Sequence, residues 1–199
     1  MSAFSRRSMT TPEIHQRLIA AFGDAVGALS EGADPACVVA VDSIADVCRW
    51  LHDQPGVELT SLMCLSATDD KTKLGVVYNL HSMKHRHRIT LKVELPDREH
   101  PRVPSVAQVF GTANWHEREA YDMMGIVFTG HPDLRRILCP EDWEGWPLRK
   151  DYVVQEYYRG LRVPYPQGKD PDRGHWVSRD IPDQRVSPPE IREPDLTGI

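Results

Sequence analysis

Between Trp115 and Tyr152 the sequence concentrates charge, aromatics and turn formers in the run WHEREAYDMMGIVFTGHPDLRRILCPEDWEGWPLRKDY. Glu117, Glu119 and Asp122 fall within two helical turns with Arg118 among them, and paired carboxylates can act as general acid and base. On a helix Glu119 and Asp122 are neighbours three apart, while Glu117 points elsewhere. The same carboxylates can instead pair with Arg135, Arg136, Arg149 and Lys150 and so fix an irregular loop. The network is the expected role, because a hydrolytic or metal site adds a nucleophile or a further set of convergent ligands.

Other chemistry-bearing residues are weaker signals. His131 precedes Pro132 in a Gly130-His-Pro-Asp turn, where its imidazole is expected to hydrogen-bond backbone groups. His81, His85 and His87 flank a hairpin turn beside Lys84, Arg86 and Arg88, and side chains two apart on a strand share a face. Three histidines can bind zinc, yet no nearby Cys or HExxH pattern supports a site, so a solvated basic turn is expected. Trp143 and Trp146 are expected to anchor a loop or an interface, where Trp, Tyr and Arg dominate. The four cysteines, Cys37, Cys48, Cys64 and Cys139, lack the CxxC spacing of a cluster site and read as reduced thiols. Neither GxGxxG nor GxxxxGK[ST] occurs, so no nucleotide site is signalled.

These residues need a scaffold, and the pattern supplies one. Thr10 with Glu13 forms a capping box and Pro12 fits the first turn of a helix carrying Ile14, Leu18, Phe22 and Val26 on one face. Val38–Val41 reads as a strand, followed by a helix capped at Asp42 or Ser43, with Ile44, Val47 and Leu51 inward and Pro55-Gly56 as its stop. Three strands are expected over Glu58–Thr68, Leu74–Ser82 and Arg88–Leu95. In the last, Ile89, Leu91, Val93 and Leu95 alternate with polar residues, as in a sheet covered on one side. Helical spacing is expected from Pro104-Ser105 through Val106, Val109, Phe110 and Ala113. A second segment carries Ala120, Tyr121 and Met124 and is capped by Gly125. The expected fold class is α+β: a two-layer domain over 1–159, with helices on one face of a mixed, largely antiparallel sheet. A Pro-rich, extended C-terminal tail over 160–199 is expected to lie on a partner.

With 199 residues, 40% of them hydrophobic and 27% charged, the composition is that of a globular protein with one ordinary core. A net charge of −5 provides no basic field for nucleic acid, and no run of about 18 apolar residues exists to span a membrane directly.

The charged segment closely resembles the signature of the thirty-kilodalton subunit family of respiratory complex I, the NADH:quinone oxidoreductase. That signature is Glu-Arg-Glu, an acid, two large apolar residues, then His, a basic residue and an aliphatic pair. Glu117-Arg118-Glu119, Asp122, Met123-Met124, His131, Arg135 and Ile137-Leu138 fill every position. Looser likeness runs from Val76 through Tyr78-Asn79-Leu80, Pro104-Ser105-Val106 and Gly125-Ile126 to Gly145 and Pro147-Leu148-Arg149-Lys150-Asp151. Ser66-Ala67-Thr68 and Val153-Val154 depart from it.

The resemblance implies a cofactor-free docking subunit in the peripheral arm of a proton-translocating complex, with FMN, iron–sulfur clusters, NADH and quinone held by other subunits. The implied partners are chiefly the quinone-site subunit and neighbouring iron–sulfur subunits, at the cytoplasmic face of the cell inner membrane. Glu117, Arg118, Glu119, Asp122, His131, Arg135, Arg136, Arg149, Lys150 and Asp151 are then interface or signature residues. Two alternatives stand beside it. One is the equivalent subunit of a ferredoxin- or deazaflavin-dependent quinone reductase or membrane-bound hydrogenase; the other is a stand-alone metal-dependent enzyme.

Overall fold

The computed structural model describes residues 8–32, 34–155 and 157–162. Two units are distinguished, Met1–Val153 and Val154–Ile199. In the first, α1 (Thr11–Phe22) leads into β1 (Val26–Leu29), β2 (Ala36–Val39), α2 (Ile44–Asp53), β3 (Ser61–Asp69), β4 (Leu74–His81), β5 (Arg88–Leu95), β6 (Arg102–Pro104), α3 (Ala113–Met124) and β7 (Val127–Thr129). The expected capping box is present, with the Glu13 carboxylate accepting from the Thr10 N–H at 2.8 Å. α1 stops earlier than its apolar spacing suggests. Gly23 turns the backbone at a positive φ of 55°, and Val26 opens a strand that helical spacing had assigned to the helix face.

The five-stranded sheet has the order β1-β2-β5-β4-β3; only the β2–β5 pair is parallel. Its centre is built from cross-strand pairs: Leu74 faces Leu95, Val76 faces Val93, Tyr78 faces Leu91 and Leu80 faces Ile89, all of them buried. Each fully buried Leu, Val or Ile stabilises the fold by roughly 1.5–3 kcal/mol before entropy is charged against it. The opposite face is polar and half-exposed, with Lys73 and Lys92 paired to Glu94 and Thr90 donating to Asn79. The helices therefore serve one face, and the α+β expectation holds. Ile14 and Leu18 of α1 and Ile44, Val47, Cys48 and Leu51 of α2 enter the single core.

β3 is shorter at its start than expected, because a turn at 55–57, with the Val57 and Glu58 N–H groups on the Gln54 carbonyl, leads into Glu58 at φ 42° and the strand begins only at Ser61. Between Leu62 and Cys64 the register slips by one residue. A bulge of this kind lets Leu62 and Leu65, three apart, both face inward and leaves Met63 exposed. Residues 105–112 are irregular, with turns at 107–109 and 111–112; the helix expected from Pro104-Ser105 begins only at Ala113, and Pro104 instead ends β6, which pairs in parallel with β7.

In the second unit β8 (Tyr157–Tyr158) and β9 (Leu161–Arg162) form a small hairpin turning through Gly160 at φ 78°. The tail expected over 160–199 lies outside the described residues from position 163 onward.

Candidate functional site

α3 is buried on more than its apolar side: Glu117, Arg118 and Asp122 are buried along with Ala113, Ala120, Met123 and Met124. Its N-terminal half covers the outer edge of the sheet. His116 Nδ1 accepts from the Leu65 N–H at 2.9 Å, and the Thr112 hydroxyl donates to the Leu62 carbonyl at 3.2 Å. Backbone groups of an edge strand that would otherwise be open to another polypeptide are thereby occupied.

Asp122 organises the segment that follows. Its Oδ2 accepts from the N–H groups of Ile137 (2.9 Å), Leu138 (2.6 Å) and Cys139 (2.9 Å), and its Oδ1 accepts from Arg136 Nη1 at 2.9 Å. Burial alone would raise this carboxyl, but the three backbone N–H groups and the guanidinium outweigh it and hold Asp122 below the ordinary carboxylate range. Arg136 continues the brace by donating to the carbonyls of Trp143 and Gly145, each at 3.1 Å.

Trp146 is the packing counterpart of that brace. The Arg136 guanidinium lies 4.6 Å from its ring centroid, Arg149 lies at 6.0 Å, and the Tyr121 ring meets it edge-on at 5.6 Å. Such cation–ring contacts contribute about 0.5–1 kcal/mol when exposed and more when desolvated. The approach depends on Gly125, which is left-handed at φ 71°; a Cβ there would run into the indole. Arg149 Nε donates to the Met124 carbonyl at 2.7 Å, and the Leu148 N–H donates to Met123 at 3.1 Å.

Glu117 faces the other way, as expected. Its carboxylate is fully buried, accepting from the Ser105 hydroxyl at 2.5 Å and the Val106 N–H at 2.7 Å. Burial pushes its pKa up to about 7 against the opposing pull of those two donors. His131 Nε2 lies 4.0 Å away, with a wholly buried side chain. Because the Asp133 N–H donates to Nδ1 at 3.0 Å, the ring proton sits on Nε2 and goes to the Asn114 carbonyl at 3.1 Å. The Ser105 oxygen also accepts from the Ala107 N–H at 3.2 Å, so Ser105 and Glu117 together fix the 105–107 turn.

The expected charge network is thus only partly an ion-pair network. Asp122 and Arg136 pair. Glu117 uses Ser105 and a backbone N–H rather than any arginine, and Glu119 is exposed with no partner among the described residues. Arg118 lies over Trp115 at 4.7 Å and donates to the Arg135 carbonyl, while Arg135 pairs with Asp133 at the surface. Lys150 contributes its backbone N–H, which donates to Asp69 Oδ2 at 2.9 Å. Asp151 pairs with Arg98 at 3.1 Å. Asp69 and Arg98, which no sequence motif singled out, are the missed members. Arg98 forks onto the Asp69 carboxylate and, with the Lys150 and Lys71 N–H groups, holds it well below the usual range. Their one sequence signal was a carboxylate at a strand end with a basic residue just beyond the next hairpin.

The three histidines do not converge. His85 and His87 stack at 5.5 Å, nearly parallel, which matches the shared face expected of them. His85 binds Glu58 at 2.6 Å, and His87 uses Nε2 on the Val57 carbonyl and Nδ1 on the Met9 N–H. Among the described residues no group of three or more His, Cys, Asp or Glu is arranged to hold a metal ion.

Comparison with known proteins places this geometry. The family described as respiratory-chain NADH dehydrogenase, 30 Kd subunit, matches residues 37–158. An NADH-quinone oxidoreductase subunit from Chlorobium phaeobacteroides is 51% identical over 149 residues, covering 72% of this chain and 89% of the relative. Among solved structures, the trypsin-resistant fragment of Nqo5 superposes with a TM-score of 0.52 at 25% identity, covering 63% of this chain and all of the fragment. A polypeptide of the membrane-bound sulfane sulfur reductase, an archaeal respiratory membrane complex, shares the fold with a TM-score of 0.58 at 22% identity, covering 72% of this chain and 85% of that one. The chain belongs to the family of the respiratory-chain NADH dehydrogenase 30 Kd subunit, a subunit of complex I.

Proposed function

We propose that this chain is a structural and docking subunit in the peripheral arm of a proton-translocating NADH:quinone oxidoreductase. It holds no cofactor of its own and supports the subunit that carries the quinone site while FMN, iron–sulfur clusters and quinone react elsewhere. The observation that carries this reading is the direction in which the signature faces. Asp122, Arg136 and Glu117 spend their hydrogen-bonding capacity internally, the first two fixing the 131–152 segment and Glu117 the 105–107 turn. Large apolar side chains of the same region are turned outward: Trp115, Leu138, Leu148 and Val153 are 57–71% exposed. An irregular surface held in one shape and fringed with apolar groups suits a protein neighbour, since preorganisation lowers the ordering cost of association.

The complex would sit at the cytoplasmic face of the inner membrane, reached through partner subunits; among the described residues no helix is long and apolar enough to cross a membrane. The test replaces Leu138 and Leu148 together by Asp in the native host. The purified variant is expected to keep its melting temperature, while the flavin- and cluster-containing assembly that copurifies with the wild-type protein under mild extraction falls at least about tenfold. Wild-type yield of active complex from the double variant would overturn the docking reading. A purified single chain that turns over a substrate would do the same.

A further inference from the structure

Glu119 stands apart from the other carboxylates of the signature. It is exposed and has no hydrogen-bond or ion-pair partner among the described residues. It borders a groove of about 260 Å³ between α3 and the edge strand β3, lined by Cys64, Leu65, Ala120, Met123, Met124 and Leu148. The arginines of α3 and of the segment after it are committed elsewhere: Arg118 to Trp115 and the Arg135 carbonyl, Arg135 to Asp133, Arg136 to Asp122, and Arg149 to the Met124 carbonyl. His116 also lines the groove; its Nδ1 accepts from the Leu65 N–H, so its ring proton is on Nε2. The groove walls are mainly thioether, thiol and aliphatic groups, joined by the His116 imidazole and by Ser66, whose hydroxyl lies against the Cys64 thiol, with a single unmatched negative charge at the rim.

We propose that this groove receives a long cationic side chain, arginine or lysine, from the neighbouring subunit, with its aliphatic stem on Met123, Met124 and Leu148 and its charge on Glu119. The charge pattern favours this occupant over a purely apolar one. A basic residue has methylenes that match the walls and a head group that matches the rim, whereas an apolar plug would leave the carboxylate desolvated without a partner. Methionine walls adapt to such a stem because the thioether side chain is unbranched. Two backbone groups of the β3 edge beneath are already taken, the Leu62 carbonyl by Thr112 and the Leu65 N–H by His116.

This inference rests on the docking reading and is tested separately from it. Glu119→Lys and Glu119→Gln are introduced into the full complex in the native host, with Leu138→Asp alongside, and the assembled complex is quantified. Carbodiimide–glycine ethyl ester labelling of Glu119 is compared between the isolated chain and the purified complex. We expect Glu119→Lys to lower assembly about tenfold or more and Glu119→Gln to have a smaller effect in the same direction, with an unchanged melting temperature for both isolated variants. Glu119 should label in the free protein and be protected in the complex.

Wild-type assembly of Glu119→Lys, or equal labelling of Glu119 in both states, overturns the cationic occupant; if Leu138→Asp still loses the complex, docking itself survives. Equal or better assembly of Glu119→Gln, together with protection of Glu119 in the wild-type complex, indicates an apolar occupant and overturns the proposal. Protection of Glu119 already in the isolated protein indicates a segment of this chain or a second copy and also overturns it. Loss of every effect, Leu138→Asp included, removes the docking reading as well.

Discussion

Asp122 and Glu117 sit on one helix, both fully buried, and their surroundings drive them in opposite directions. Asp122 meets four donors and stays a carboxylate below the ordinary range; Glu117 meets two, and burial wins. For Glu117 the folded value of about 7 lies above the usual 4.5, so the folded state holds the proton more tightly than the unfolded one. Its contribution is therefore fully present below pH 4.5 and is lost as pH rises through 7, by about 3 kcal/mol in all. The buried Cys48 thiol and Tyr78 phenol, which also sense the charge of Glu117, are raised chiefly by burial. Urea unfolding from pH 5 to 8 should show wild-type stability falling across this window. In Glu117→Gln the fall should flatten and leave the variant more stable than wild type at pH 8, because the Ser105 hydroxyl can rotate to serve the amide. The arginines of the Leu-Arg-Arg run divide as sharply. Arg136→Ala strands a buried carboxylate and two carbonyls, and should cost the isolated protein about 3 kcal/mol or more. Arg135→Ala removes a surface pair and should stay within about 0.5 kcal/mol, as chemical denaturation of each variant will check. From sequence the two looked equivalent, because adjacent residues of one type carry no label for which of them faces inward.

At the scale of elements, α3 and the segment after it hold one another in place. The helix ends at Gly125, whose left-handed backbone reverses direction and whose missing side chain admits Trp146. Gly125→Ala combines a disfavoured φ with a collision against the indole. It should destabilise the fold by at least about 2 kcal/mol and red-shift the emission of the displaced tryptophan, a combination that fluorescence-monitored melting reads directly. Gly125 as a C-terminal cap was legible in the sequence, as were the capping box of α1 and the alternation of β5, since each depends on residues within a few positions. The start of α3 was not. Val106, Val109, Phe110 and Ala113 have helical spacing, yet the Glu117 carboxylate takes the Val106 N–H and holds 105–107 as a turn. The period of β3 was likewise broken by a bulge that alternation alone does not foresee.

Across the whole molecule, distant parts of the sequence meet at the 131–152 segment: the β3–β4 turn through Asp69, the 96–101 loop through Arg98, and α3 through Asp122. The resulting face is apolar at its fringe. Glu119 lies exposed on the same helix, and it is on this face that the proposed docking role rests.

The sequence by itself determined the family, through a spaced signature that every position fills, and the central strands, through a period of two that hydrophobic burial enforces locally. Only the tertiary structure decided which charges are internal braces and which stay exposed. A side chain's role there is set by donors and acceptors that arrive from far along the polypeptide, as Asp69 does for Lys150 and Ser105 for Glu117. Neither composition nor spacing encodes those meetings.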